Sequence, residues 1–352
     1  MSTKSPSKPV TDFSLPPASA ATAPPERRGL ARDAVRLLVA RPSYRQHAEF
    51  KDLPDHLEEG DLLVVNTSAT LPAATDGVRG HGAPAPVHLA GELDDGSWVI
   101  EVRRPDNAGP QTDLRVAEQI ALVGRVTVSV QASYPEVGVS DSRLWRVTQE
   151  GRYRPLVDYL NDHGRPIRYG YLSGSWPLRD VQTVYADVAG SAEMPSAGRP
   201  LTLRLLARLM AKGVTVTPVV LHTGVSSPEK HEPPMPERFL VPEVTGRLVN
   251  SARSAGRRVV AVGTTVVRAL ESVAAPDGRV EPGRGWTDLV IGPRRPVRVV
   301  SGMVTGLHEP EASHLLMLEA VAGPDLVRAA YADALAEHYL WHEFGDSMLL
   351  LP

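Results

Sequence analysis

The rhythm of apolar positions changes twice along the chain. In the first part, RLLVA (36–40) and DLLVVN (61–66) are apolar almost without interruption, as strands buried on both faces are. FKDLPDHLEEG between them carries the spacing of a short helix ended by Gly60. From about Pro72 to Arg152 strict alternation takes over in VHLAGEL, SWVIEVRRP, ALVGRVTVSVQASY and RLWRVTQ, parted by Gly, Asp-Gly and Pro-Asp-Asn turns. The first rhythm then returns: RPLTLRLLARLMAKG predicts an amphipathic helix closed by Gly213, and VTVTPVVLH a buried strand. These switches predict an α/β main domain made of residues 30–72 and 153–352, carrying an inserted small antiparallel β-barrel domain at 73–152. Residues 1–29, rich in Pro, Ala and Ser, are expected to be a mobile N-terminal segment in which only DFSLP docks.

Composition narrows the chemistry. The 352 residues contain no cysteine, which removes disulfides, thiolate metal sites and thiol nucleophiles. The N-terminus lacks the apolar run of a signal peptide and no stretch of about 18 apolar residues occurs, so the expected location is cytoplasmic, with no membrane partner. A net charge of −3 argues against a broadly basic surface, though not against a local patch.

Four polar turns follow buried strands or open helices. In AGRRVVAVGTTVVRALES a strand runs into Gly263, Thr264 and Thr265 at the start of a helix, with Arg268 one turn on and Glu271 three residues beyond it. Free N–H groups and the positive helix end suit a carboxylate there, with Arg268 as a clamp; an N-capped helix with a surface Arg268–Glu271 pair explains the same residues. VVLHTGVSS delivers His222, Thr223 and Gly224 to a strand's carboxyl end, where open α/β sheets bind ligands. TGLHEPEASH places His308 and Ser313 ahead of an apolar helix, and either histidine can carry a proton near neutrality. VYADVAGSAEMPSAG contributes Glu193, either a general base or a solvated loop carboxylate. His338 and His342, at i and i+4 in HYLWHEFGDSM, lack the zincin pattern, and amphipathic packing accounts for them; no metal is expected.

Taken in order, GDLLVVN, RRP at 103–105, QTVYA, PSAG, LHTG, AVGTTVVRALES, the His308 and Pro310 of LHEP, LLMLEAVAG and FGDSML resemble the S-adenosylmethionine:tRNA ribosyltransferase-isomerase family of the queuosine pathway, β module included. The resemblance implies S-adenosylmethionine as ribosyl donor, without a metal, and a tRNA 7-aminomethyl-7-deazaguanine as acceptor. It implies that a base removes a proton beside the sulfonium, adenine leaves, the acceptor amine captures the opened sugar, and methionine departs as an epoxide closes. Proton transfer then falls to His222, His308 or Glu193. Substrate contacts fall to Asn66, Arg104, Tyr185, Ser196, Gly198, Thr223, Gly224, Gly263, Thr264, Thr265, Arg268, Ser313 and Asp346.

The chain departs from the family pattern at Ala69, Ala74 and Leu340, where arginines are expected, and at Pro200, Glu232 and Met235, where histidines are, with His231 one place off. Weakened tRNA binding follows, since phosphate contacts supply much of such affinity. Two other readings share these residues: an enzyme that keeps the donor but uses a small acceptor, and an idle paralogue that only binds nucleoside or RNA. Adenine release separates the last from the others, and tRNA dependence separates the first two.

Overall fold

The computed structural model describes residues 8–106, 109–152, 154–226 and 234–352. The chain opens with the hairpin β1 (Arg36–Arg41) and β2 (Tyr44–Glu49), then the short helix α1 (Leu53–His56), β3 (Leu62–Asn66) and β4 (Ser68–Thr70). Seven strands follow: β5 (Ala74–Thr75), β6 (Gly77–Arg79), β7 (Val87–Glu92), β8 (Trp98–Val102), β9 (Gln119–Leu122), β10 (Val126–Tyr134) and β11 (Leu144–Gln149). Beyond α2 (Leu156–His163) come β12 (Val188–Ser191), α3 (Leu203–Ala211), β13 (Thr215–Leu221), β14 (Glu237–Val241), α4 (Glu243–Ser254), β15 (Val259–Val262) and α5 (Thr264–Ser272). The chain ends with β16 (Gly283–Thr287), β17 (Gly302–Gly306), α6 (Ser313–Ala322), α7 (Pro324–Ala336) and β18 (Ser347–Leu350).

Nine of these strands make one sheet in the order β16-β14-β13-β3-β15-β17-β18-β1-β2. Its centre is parallel: β3 lies between β13 and β15, and β15 pairs with β17. The uninterrupted apolar runs are explained by burial on both faces, because Leu62 and Val64 face the cluster under α4–α7 while Leu63 and Val65 face the one under α1 and α3. Parallel neighbours share an orientation, so the carboxyl ends of β3, β13, β15 and β17 lie along one edge of the sheet. That edge collects Ser68, His222, Gly263 and His308, each within two residues of a strand end.

The alternating segment forms a separate antiparallel sheet, β5-β7-β8-β11-β10-β9-β6, with its own core of Val87, Ile100, Val130 and Val147. A parallel pair of β4 with β12 joins the chain before and after it. Packing against this sheet also comes from a helix that follows it in sequence. α2 presents Leu156, Tyr159 and Leu160, spaced i, i+3, i+4, to the antiparallel sheet's core, where the Tyr159 ring lies tilted 5.3 Å from that of Trp98.

The Pro- and Ala-rich start is held rather than free from residue 8 onward. Phe13 packs 5.0 Å from the Tyr331 ring, Ala20 bridges to Trp341, and Glu26 accepts a hydrogen bond from Arg199 at 2.9 Å. Its apolar residues find a hydrophobic seat, and Glu26 and Arg27 find charged partners, which composition alone does not reveal. No helix among the described residues is long and apolar enough to cross a membrane.

Candidate functional site

Asn66 ends β3 by reaching across to β13: its amide donates to Leu221 O at 2.8 Å, and its oxygen accepts from the N–H groups of Leu221 and Ser68 at 3.0 and 3.1 Å. That clamp sets Ser68 beside His222. Ser68 Oγ lies 2.7 Å from His222 Nδ1 and 2.5 Å from Ser191 Oγ, which itself accepts the Thr223 N–H at 3.0 Å. Both serines are fully buried, so every hydroxyl hydrogen needs an acceptor. The chain Ser191 to Ser68 to His222 Nδ1 satisfies both hydrogens; the reverse direction strands the one on Ser191. His222 therefore carries its own hydrogen on Nε2, as a neutral donor.

His222, Gly190 and Gly224 line a cavity of about 410 Å3, with Glu92 at the end of β7, Asp94 in the turn after it, and Glu237 of β14 also in its lining. Burial, reinforced by the Arg238 charge, pushes the His222 pKa down to about 4. The unfolded chain, with a histidine near 6.5, takes up the proton first as pH falls. Stability from neutral His222 is thus complete above pH 6.5 and is lost as pH drops to about 4. The loss amounts to about 3 kcal/mol. We expect thermal denaturation scans of His222→Asn to show a shallower fall of Tm across this window than the parent.

On the other side of Thr223 a polar rim runs around the sheet edge. Thr223 Oγ1 donates to the Glu193 carbonyl, and the Glu193 carboxylate accepts from the Ser226 N–H at 2.5 Å, the Ser226 hydroxyl and the Tyr169 hydroxyl. Burial raises its pKa, opposed by the Ser226 and Tyr169 bonds. The expectation of a solvated loop carboxylate is therefore corrected. The Tyr169 ring stacks on Tyr171 at 5.8 Å, and Tyr171 on His342 at 4.1 Å, while Tyr171 donates to Glu343, another carboxyl that burial pushes up. His342 lies 3.6 Å from Glu309. His308 stacks on His314 at 4.6 Å and bonds Thr305 Oγ1 at 3.0 Å. Burial first, then the His314 and His342 charges, hold His308 well below the usual histidine range. His314 is pushed down to about 4 by its surroundings first and then by the Arg268 charge.

Arg268 closes the circuit. Its guanidinium pairs with Glu237 and donates to the carbonyls of Thr287 at 3.0 Å and Leu289 at 3.2 Å, while Glu237 also accepts the Gly224 N–H at 3.1 Å. Burial raises the Glu237 pKa against the pull of Arg268. The Arg268–Glu271 surface pair does not form: both are buried, and Glu271 accepts the N–H groups of Arg298 and Val299 at 2.8 Å instead. A helix turn puts residues i and i+3 near one another only if both side chains face the same way, and here each finds a stronger partner.

Gly263 enters α5 at φ +91, a conformation that favours glycine, and the Thr265 hydroxyl beside it is buried with no hydrogen-bond partner. A side chain at Gly263 would meet Ala197 at 3.2 Å, and one at Gly198 would strike the Tyr185 hydroxyl, so the 196–198 turn packs directly on the start of α5. Ser196 and Gly198 form a single 3-10 turn there. Ser313 opens α6 next to His314.

Two predicted contacts sit elsewhere. Arg104 is exposed in a turn after β8, its N–H bonded to Gly109 O at 2.9 Å. Asp346 accepts the N–H groups of Arg36 and Leu340, both at 2.8 Å, and so ties the C-terminal segment to β1. His338 and His342 are not on a helix, because α7 stops at Ala336 and both have positive φ, 54° and 72°. The amphipathic reading of their spacing is corrected accordingly. No group of three His, Asp or Glu side chains suited to a metal occurs among the described residues. Glu232 and His231 lie outside those residues; Met235 presses against Gly224 and lines the cavity.

Sequence reasoning passes over Ser68, Ser191, Tyr169, Tyr171, Glu237 and His314. Only His314 carried a signal, one residue past Ser313 at a helix start; the others are ordinary polar residues until the fold brings them together.

A family model described as queuosine biosynthesis protein matches residues 10–350. The S-adenosylmethionine:tRNA ribosyltransferase-isomerase of Symbiobacterium thermophilum is 36% identical over 97% of this chain and 98% of its own length. That of Thermotoga maritima is 35% identical over the same shares, 97% and 98%. The crystal structure of the S-adenosylmethionine tRNA ribosyltransferase from Thermotoga maritima superimposes with a TM-score of 0.52 at 30% identity, covering 97% of this chain and 99% of that one.

Proposed function

Because this chain belongs to the queuosine biosynthesis protein family, we propose that it is an S-adenosylmethionine-dependent ribosyltransferase-isomerase acting on tRNA in the cytoplasm. The observation that carries the site assignment is the convergence, at the carboxyl edge of one parallel sheet, of a neutral histidine donor, a pair of neutral histidines and three buried carboxyl groups. Such an edge can exchange protons without a free charged group in water.

The donor's methionine carboxylate sits at the start of α5, on the N–H groups of Thr264 and Thr265, with the unpartnered Thr265 hydroxyl as a further donor. Arg268 uses most of its N–H groups on Glu237 and backbone carbonyls, so its part is to hold Glu237 and Gly224 in place and to offer the remaining N–H. The stacked Tyr169 and Tyr171 rings, with Glu193 and Glu343 at their hydroxyls, give the sulfonium an electron-rich wall. His222 lines the inter-sheet cavity, and its Nε2–H donates to adenine as it leaves. The proton beside the sulfonium passes to His308 or Glu193 on the rim. The antiparallel sheet is read as a barrel domain of residues 73–152 closed through one segment, because its two edge strands, β5 and β6, are separated in sequence only by Asp76.

The chain has no cationic side chain at Ala69, Ala74 and Leu340, where the family resemblance places arginines, so we place tRNA affinity below that of relatives that keep them. The test of the function is adenine release from S-adenosylmethionine with and without tRNA. Release that requires tRNA supports it, release indifferent to tRNA favours a small acceptor, and none favours an idle paralogue. The proposed chemistry draws on the sulfonium and needs no metal, so rates should be unchanged after dialysis against EDTA. A loss restored by one divalent metal would overturn that.

A further inference from the structure

The large sheet has a second polar end. At the amino ends of β15 and β17, opposite the cleft, a groove of about 720 Å3 is lined by Arg253, Arg257, Arg258, Arg279 and Arg298, with Asp277 the one carboxylate among its described lining residues. In a chain of net charge −3 this is a local concentration of cations. Two of the five are neutralised: Arg258 pairs with Asp61 at 2.5 Å, and Arg279 with Glu281. Arg253, Arg257 and Arg298 have no carboxylate partner among the described residues. Arg253 is fixed by the carbonyls of Gly278 and Arg298, and its place in the last turn of α4 accounts for its charge as a complement to the helix end. Arg257 and Arg298 have no such explanation.

The loop bearing Arg298 is also held in advance. Buried Glu271 accepts its N–H and that of Val299, both at 2.8 Å, which fixes the backbone, and the exposed Arg298 guanidinium lining the groove bonds, among the described residues, only the Ala274 carbonyl, at 3.4 Å. Guanidinium groups without internal acids are what phosphate recognition needs, since their planar donors match phosphate oxygens. β15 and β17 are four and five residues long, so the distance from cleft to groove along the strands is about 15 Å. An RNA stem, with its closely spaced phosphates, is long enough to span it.

We infer that this groove binds the phosphodiester backbone of the tRNA whose base enters the inter-sheet cavity. The inference rests on the reading of the chain as a tRNA-modifying enzyme. Its test compares the salt dependence of tRNA binding by the parent protein, by Arg257→Ala/Arg298→Ala, and by the control Arg204→Ala/Arg247→Ala, which removes two exposed arginines elsewhere. The groove variant should bind roughly ten- to sixtyfold more weakly at 0.1 M salt, with a slope of log affinity against log salt shallower by about 2. At saturating tRNA its adenine release should equal the parent's, and the control should match the parent throughout. A parent that binds tRNA together with a groove variant of unchanged slope overturns the inference alone. Equal losses in groove and control variants overturn it too, as general electrostatics. If the groove variant loses inorganic tripolyphosphate but keeps tRNA, the site is one for free phosphates and the inference falls. A parent that binds no tRNA removes both the inference and the reading beneath it.

Discussion

Replacing His222 with asparagine should lower the rate of adenine release by roughly 10²- to 10⁴-fold, the usual worth of a positioned proton donor, while leaving S-adenosylmethionine affinity within a few-fold. Asparagine keeps a polar atom near the Nδ1 position, so the bond to Ser68 survives and the local fold with it. It lacks the Nε2–H. Single-turnover adenine release and calorimetry on the same preparation separate the two effects. Ser191→Ala should lie between parent and His222→Asn: without the Ser191 hydrogen, Ser68 no longer has to donate to Nδ1, and the histidine divides between its two tautomers. A merely structural role for Ser191 would reduce stability and leave the rate per folded molecule intact. An asparagine variant within threefold of the parent rate would remove His222 from the chemistry.

The second large effect concerns stability. Arg268→Ala should destabilise the fold by about 3–5 kcal/mol, because it leaves the Glu237 carboxylate buried without its cation and strips donors from the carbonyls of Thr287 and Leu289. Adding Glu237→Gln should return a large part of that loss, since the neutral amide no longer demands a charge and can still accept the Gly224 N–H. Denaturant titration of the four proteins of this cycle gives the coupling directly. Destabilisation of the single variant by less than about 1 kcal/mol would mean that the pair is hydrated and the rim open.

The division of the chain into a two-sided buried sheet and an alternating β module is legible in the sequence because each has its own apolar period. LLVV and VVAV can only be strands covered on both faces. The position of α2 is less legible: its spacing shows an apolar face but not which core receives it, and Tyr159 settles that through Trp98. In the site, His222, Thr223, Gly224 and the Gly263–Thr265 turn could be placed because strand ends are ligand edges. The partners that give those residues their chemistry could not. Ser191 lies 31 residues before His222 and Ser68 a further 123 before Ser191, and only the pairing of β4 with β12 unites them. The pairing of Arg268 with Glu237 rather than Glu271 likewise depends on how β14 passes α5, a tertiary fact that helical spacing misjudges. His338 and His342 mislead for the same reason: a periodicity of four means nothing once the helix has ended.

The account stands most directly on one measurement: the fate of both substrates in a single incubation of the protein with S-adenosylmethionine and a tRNA carrying the 7-aminomethyl-7-deazaguanine base. Adenine and methionine should appear in equal amounts, each matched by one modified nucleoside whose mass is that of the base plus the epoxide-bearing ribosyl fragment. Adenine released with no change in the tRNA, or an unchanged donor after many hours with that tRNA bound, would contradict it.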